Sequence, residues 1–119
     1  MPVTPILRMF DIAATRDFYL GFLGFEQRFE HRFAPDLPLY MGVIRGGAEL
    51  HLSQHHGDCC PGARVRIAEP DLLAFQRRLA ASGYGFGRPG VPVRQPWGDM
   101  EMTVTDPAGN RLTFWQAVG

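Results

Sequence analysis

The 119-residue sequence has no lysine: its basic residues are twelve arginines, balanced by twelve aspartates and glutamates. Without lysine, Schiff-base chemistry has no nucleophile in this chain. Without net charge there is no global attraction to nucleic acid or to an anionic membrane, and neither is expected as a partner. Cysteine is limited to the adjacent pair Cys59-Cys60, which forms no disulfide framework and suits a reducing compartment. The acidic neighbour Asp58 is expected to raise rather than lower a thiol pKa there. No apolar run approaches the ~20 residues of a membrane helix. The start, Met1-Pro2-Val3-Thr4, has neither the basic nor the apolar part of a secretory signal, so a cytoplasmic protein is expected. Ser53 lacks the flanking glycines of a nucleophile elbow. The Gly85–Gly90 stretch follows no strand and reads as a loop, not a nucleotide motif.

What is present is one domain's length of chain, 45% hydrophobic, which buries roughly two-thirds of its unfolded surface without staples. The pattern runs twice: a strand, a helix, then three short strands. In the first half these are Val3 to Phe10, Ala14 to Leu23, Phe25 to Phe33, Leu39 to Arg45 and Ala48 to Ser53. Pro2 and Pro5 restrict the first strand to an edge or an exchanged arm. Phe18, Tyr19, Phe22 and Leu23 share one helix face, and Gly24 ends the helix. Gly46-Gly47 marks a two-residue hairpin. After a linker, His55 to Gly62, the second half opens with a strand over Arg64 to Ala68. Asp71 caps a helix through Ala81, with Leu72, Phe75 and Leu79 inward and Gly83 as its stop. A looser stretch, Gly85 to Pro96, precedes strands over Glu101 to Thr105 and Arg111 to Trp115. Asp106-Pro107-Ala108-Gly109-Asn110 is the turn between them.

The expected fold class is therefore α+β. Two paired βαβββ modules, residues 1–57 and 62–119, would form a curved mixed sheet around a cleft. One helix covers one face of each module's sheet. Alternation then assigns the bare faces. Leu50 and Leu52 point to the helix while Glu49, His51 and Ser53 point away. Val65, Ile67, Met102, Val104, Leu112 and Phe114 point to the helix. Arg64, Arg66, Glu101, Thr103, Thr105, Arg111, Thr113 and Trp115 point away. The resulting polar face, with both charge signs and an indole, suits a hydrogen-bonding ligand or a metal, with a plain solvated sheet face as the bland alternative.

Several segments together resemble the glyoxalase/bleomycin-resistance/dioxygenase (vicinal oxygen chelate) superfamily, and most of all its bleomycin-resistance proteins. They are Val3-Thr4-Pro5-Ile6-Leu7, Phe18-Tyr19 with Leu23-Gly24-Phe25, Leu50-His51-Leu52-Ser53, Gln95-Pro96-Trp97-Gly98, and Asp106-Pro107-Ala108-Gly109-Asn110. The resemblance implies a homodimer whose N-terminal arm is exchanged at Pro5. It also implies non-catalytic sequestration of a glycopeptide antibiotic, which in its metal-chelated form or not is the expected small-molecule partner. No cofactor is expected.

Enzymes of the superfamily hold a divalent metal on four strands. Those positions map to Thr4, Glu49 (or His51), Arg64 and Thr113, of which three offer no ligand, so a metal-free cleft is expected. The alternative is a metal-dependent lyase, isomerase or dioxygenase using Glu49, His51, His55 and His56, with Asp58 nearby. A small-metabolite binding protein is a further alternative. For the antibiotic, Phe33, Trp97 and Trp115 are candidate aromatic walls, and His51 and Ser53 candidate hydrogen-bonding groups. Asp58, Asp99 and Glu101 are candidates for a cationic tail. Arg64, Arg66 and Arg111 would oppose such a tail. The Arg28–Leu39 connection is longer than the family's and would reshape the groove.

Overall fold

The structure is a computed structural model that describes residues 2–84 and 89–118. Residues 85–88, within the stretch read as a loop, lie outside the described residues. Eight strands and two α-helices follow in the expected order: β1 (Ile6–Arg8), α1 (Ile12–Arg16), β2 (Glu26–His31), β3 (Tyr40–Arg45), β4 (Ala48–Ser53), β5 (Arg64–Ala68), α2 (Leu72–Ala81), β6 (Val93–Arg94), β7 (Asp99–Thr105) and β8 (Arg111–Ala117). The chain divides into two compact units. The first is Met1–Ala63 with Pro107–Asn110, the second Arg64–Asp106 with Arg111–Gly119. Each holds one four-stranded mixed sheet, ordered β1-β4-β3-β2 in the first and β5-β8-β7-β6 in the second. The two orders are the same order, so the repeat read from the sequence is a repeat of topology.

In the first unit, β1 pairs in parallel with β4 of its own chain. The ladder runs from the Pro5 carbonyl, which accepts from His51 N at 2.9 Å, to Met9 N, which donates to Ser53 O at 2.9 Å. Pro5 thus stands where only its carbonyl is needed, and its missing N–H leaves no gap. The strand is shorter than the Val3–Phe10 run: Pro2 and Pro5 cannot donate to a ladder at its start, and the chain turns to the Asp11 cap at its end. Asp11 caps α1, accepting from Ala14 N at 2.8 Å. The expected single helix then widens: Asp17–Phe22 is a π-helix, with Leu23 N donating to Phe18 O. The wider turn brings two adjacent aromatics inward together. Phe18, Tyr19, Phe22 and Leu23 are all buried, and the Phe18 and Tyr19 rings meet edge to face at 5.0 Å. Leu7, Met41, Val43, Leu50 and Leu52 complete this core. Residues Pro107–Asn110 of the β7–β8 turn group with the same unit, and the buried Asn110 side chain donates to Arg8 O (2.8 Å) and accepts from Ala63 N (3.2 Å).

In the second unit, Asp71 caps α2 through Ala74 N at 3.2 Å, and Gly83 follows the helix at φ 74°, in the left-handed region. Leu72, Phe75 and Leu79 pack on Ile67, Met102, Val104, Leu112 and Phe114. The Phe75 and Phe114 rings lie 4.8 Å apart. Strand β6, only two residues long, lies within the Gly- and Pro-rich stretch read as a loop, too short to show a period-2 pattern.

Candidate functional site

The first unit's open face is built by register. Tyr40, Gly42 and Ile44 on β3 stand opposite Ser53, His51 and Glu49 on β4. Gly42 has no side chain, and the Phe29 ring from β2 occupies the space: a Cβ on residue 42 would lie 2.3 Å from Phe29 Cε1. Phe29 in turn stacks on Tyr40 (6.1 Å) and meets His51 edge-on (5.2 Å). His51 is engaged at both nitrogens. Its Nε2 lies 2.8 Å from Glu49 Oε2 and its Nδ1 2.6 Å from the Tyr40 hydroxyl. With Glu49 ionised, Nε2–H donates to the carboxylate and Nδ1 accepts the phenol O–H. Arg28 also donates to Glu49. The hydrogen bond from His51 is the largest influence on the Glu49 carboxyl; burial opposes it, the charge and hydrogen bond of Arg28 add to it, and the carboxyl lies below the usual carboxylate range. Burial, followed by the charges of Asp58, Cys59 and Glu49, raises the Tyr40 phenol.

Beside this face, the Ser53 hydroxyl donates to Asp58 Oδ2 at 2.6 Å and accepts from His55 N at 3.0 Å, pinning the linker to the end of β4. The pinned linker and the β2–β3 connection border a groove of about 670 Å³ lined mainly by His31, Phe33, Leu39, Tyr40, His56 and Asp58. Phe33 projects here at 89% exposure, touched edge-on by His31 at 4.7 Å. The His55 and His56 rings stack at 5.3 Å. Cys59, next along the linker, has its thiol raised first by burial and then by Asp58 and Cys60, with Arg8 opposing.

The second unit's open face is organised around arginine. Arg66 donates to Glu101 Oε2 at 2.5 Å, reaches Asp99 Oδ2 at 3.5 Å, and lies 5.7 Å over the Trp115 ring. Arg64 Nε donates to Thr113 Oγ1 at 3.2 Å, and Thr113 meets Thr103 at 2.9 Å. Trp97 sits in a tight turn in which Gly98 N donates to Gln95 O (2.9 Å) and Gln95 N donates to Asp99 O (2.7 Å). Gly98 has φ 102°, which favours glycine there. The indole is 63% exposed and borders a second cavity, of about 320 Å³.

The expected residues therefore fall into separate groups. Phe33, Ser53, Asp58, His55 and His56 line the groove. His51 and Glu49 belong to the neighbouring network, where their polar atoms are matched by Tyr40 and Arg28. Asp99 and Glu101, the other candidates for a cationic tail, are both contacted by Arg66 within the protein. Arg66 in turn does not stand as an unopposed positive charge. Trp115 packs under Arg66, and Trp97 remains an open indole. Among the described residues, no three histidine, cysteine, aspartate or glutamate side chains are grouped so as to hold a metal ion. The donor set at the mapped positions does not fit one: Arg64 and Thr113 hydrogen-bond to each other in the second unit. In the first, His51 has both nitrogens engaged.

Sequence reasoning missed Tyr40, His31, Phe29 and Arg28. For Tyr40 the signal was present, since alternation with the core residues Met41 and Val43 places it on the outer face. For Arg28 and Phe29 it was hidden by a register shift between Gln27 and Phe29 that breaks the alternation of β2.

A family model described as glyoxalase superfamily protein matches residues 2–119. The chain is 26% identical to bleomycin-binding protein, whose structure is solved in complex with bleomycin, over 99% of both chains with a TM-score of 0.77. It is 27% identical to a bleomycin resistance determinant encoded on the transposon Tn5, over 98% of both chains with a TM-score of 0.78. An antibiotic-binding protein from a Streptomyces species shares the fold at 21% identity and a TM-score of 0.75, over 97% of this chain and 93% of that one. No curated protein sequence matches the chain.

Proposed function

The chain belongs to the glyoxalase superfamily, and from that premise we propose that it binds and sequesters a bleomycin-like glycopeptide antibiotic without altering it. The observation that carries the reading is the aromatic groove of the first unit, where Phe33 stands 89% exposed over about 670 Å³ of open space. An exposed phenylalanine contributes nothing to a core, and a flat apolar wall is what a planar heterocycle needs. Tyr40 and His31 extend that wall, and Trp97 is a second platform in the second unit. Asp58 supplies the groove's negative charge for a cationic group, while Ser53 holds it in place. The protein acts as a cytoplasmic homodimer. No helix among the described residues is long and apolar enough to cross a membrane. Capture is stoichiometric, and no side chain is assigned a chemical step.

Calorimetric titration with metal-free and copper-loaded bleomycin tests the reading, followed by release of the drug and mass spectrometry. Saturable heat and an unchanged drug mass are expected. Absence of saturation with either form, or recovery of a modified drug, overturns it. Light scattering checks the dimer.

A further inference from the structure

Among the described residues, the second unit's open face has a cation without a counter-charge. Arg66 is matched by Glu101 and Asp99. Arg64 and its register neighbour Arg111 on β8 have no carboxylate within ion-pair distance among the described residues. Arg64 is nevertheless positioned. Its Nε donates to Thr113 Oγ1, and Thr113 is fully buried and tied to Thr103. That bond fixes one edge of the guanidinium plane, and among the described residues its two terminal nitrogens have no hydrogen-bond partner. A guanidinium presents a planar fork that matches a carboxylate through two parallel hydrogen bonds.

Arg64 lines the 320 Å³ cavity together with Trp97, Val91, Val93, Thr103 and Glu101, whose carboxylate is held by Arg66. The apolar members are open to solvent: Trp97 is 63% exposed, Val91 75% and Val93 60%. The turn that carries Trp97 is closed by two backbone hydrogen bonds, which fix where the indole leaves the backbone. A flat apolar wall and an anchored fork donor therefore share one cavity. The charge of the face agrees with an anionic occupant, because Arg64, Arg66 and Arg111 outnumber Asp99 and Glu101 on it.

We infer that this cavity binds a small planar organic acid, its carboxylate on Arg64 and its ring against Trp97. The inference rests on the binding reading in taking Trp97 as a ligand platform, and goes beyond it in the sign of the charge recognised. Thr113 and Thr103 act as positioning residues for Arg64.

The test is an NMR titration of the full chain with 2-naphthoate, following the Trp97 indole N–H (assigned with Trp97→Phe) and the Arg64 Nε–H. The neutral analogue 2-naphthamide runs in parallel. Naphthoate is expected to shift both resonances to saturation, and naphthamide to bind at least roughly tenfold more weakly, since hydrogen bonds between charged partners exceed neutral ones by that order. Arg64→Gln is expected to weaken naphthoate by roughly tenfold to a hundredfold and to leave naphthamide unaffected. Trp97→Ala is expected to weaken both ligands. No saturation with naphthoate at millimolar concentration overturns the inference, as does equal binding of the acid and the amide. Bleomycin is titrated into the same Arg64→Gln protein and is expected to bind no more weakly than to the parent chain. Bleomycin failing where naphthoate binds removes the antibiotic reading alone; naphthoate failing where bleomycin binds removes this inference alone.

Discussion

Gly42 and Phe29 share one volume: the aromatic ring of β2 stands where a side chain on residue 42 would be. The ring is also what packs against Tyr40 and His51. The absent side chain on β3 therefore organises the polar network of the first unit's open face.

Gly42→Ala is expected to push the Phe29 ring outward and to destabilise the fold by about 1 to 3 kcal/mol, the usual range for overpacking. Denaturant melts of the single variant and of Gly42→Ala with Phe29→Ala check this. The double variant should be more stable than Gly42→Ala alone, because the second change removes the clash. Equal stability of Gly42→Ala and the parent chain would show that the ring is free to leave without loss.

Phe33→Ala separates binding from folding. The side chain is 89% exposed, so stability should change by no more than about 0.5 kcal/mol. Bleomycin affinity should fall by roughly tenfold or more, as when an aromatic anchor is truncated. A loss of stability with intact affinity would make Phe33 a structural residue.

Acid sensitivity follows from Glu49. Its folded-state pKa lies below its unfolded value, chiefly because His51 and then Arg28 favour the carboxylate. The sign is that of a depressed acid. Its stabilising contribution is present above about pH 4.3, the unfolded value, and is lost as pH falls through the lower folded value. Urea midpoints measured through that window should fall less steeply for Glu49→Gln than for the parent chain. Parallel curves would refute the linkage.

Arg66→Leu leaves Glu101, 7% exposed, as a buried carboxylate without its cation. A loss of about 1 to 3 kcal/mol is expected, intermediate between exposed and fully buried ion pairs. Adding Glu101→Gln should recover part of it by removing the charge that was stranded. Chemical denaturation of the two proteins measures the difference. No recovery would mean that packing of the Arg66 guanidinium on Trp115, not its pairing with Glu101, was lost.

Much of this architecture was legible because its signals are local. Strands β4 and β5 and helix α2 fall at the expected residues, since Gly46-Gly47, Asp71 and Gly83 punctuate clear periods of two and 3.6. The first helix was placed but not its π geometry, because Phe18, Tyr19, Phe22 and Leu23 form an inward face under either winding. Strand β2 was drawn too long at its far end, Phe33 reading as a strand residue when it stands clear of the sheet. The site was legible only by residue type. Glu101 and Asp99 looked available because Arg66, which holds both, is more than thirty positions away in the chain. No spacing rule links them. Tyr40 stands on the strand next to β4, and its role follows only once that pairing sets its hydroxyl beside His51.

In each sheet the opening strand lies against the last strand of its own repeat, Ile6 beside His51 and Arg64 beside Arg111. The intervening hairpins can form early from near neighbours, but the parallel ladder must wait until a long loop has closed. During synthesis the first repeat can complete its sheet while most of the second is still unmade. Until β4 is made, its β1 strand is an unpaired ribbon, able to dock on whichever β4 edge arrives first.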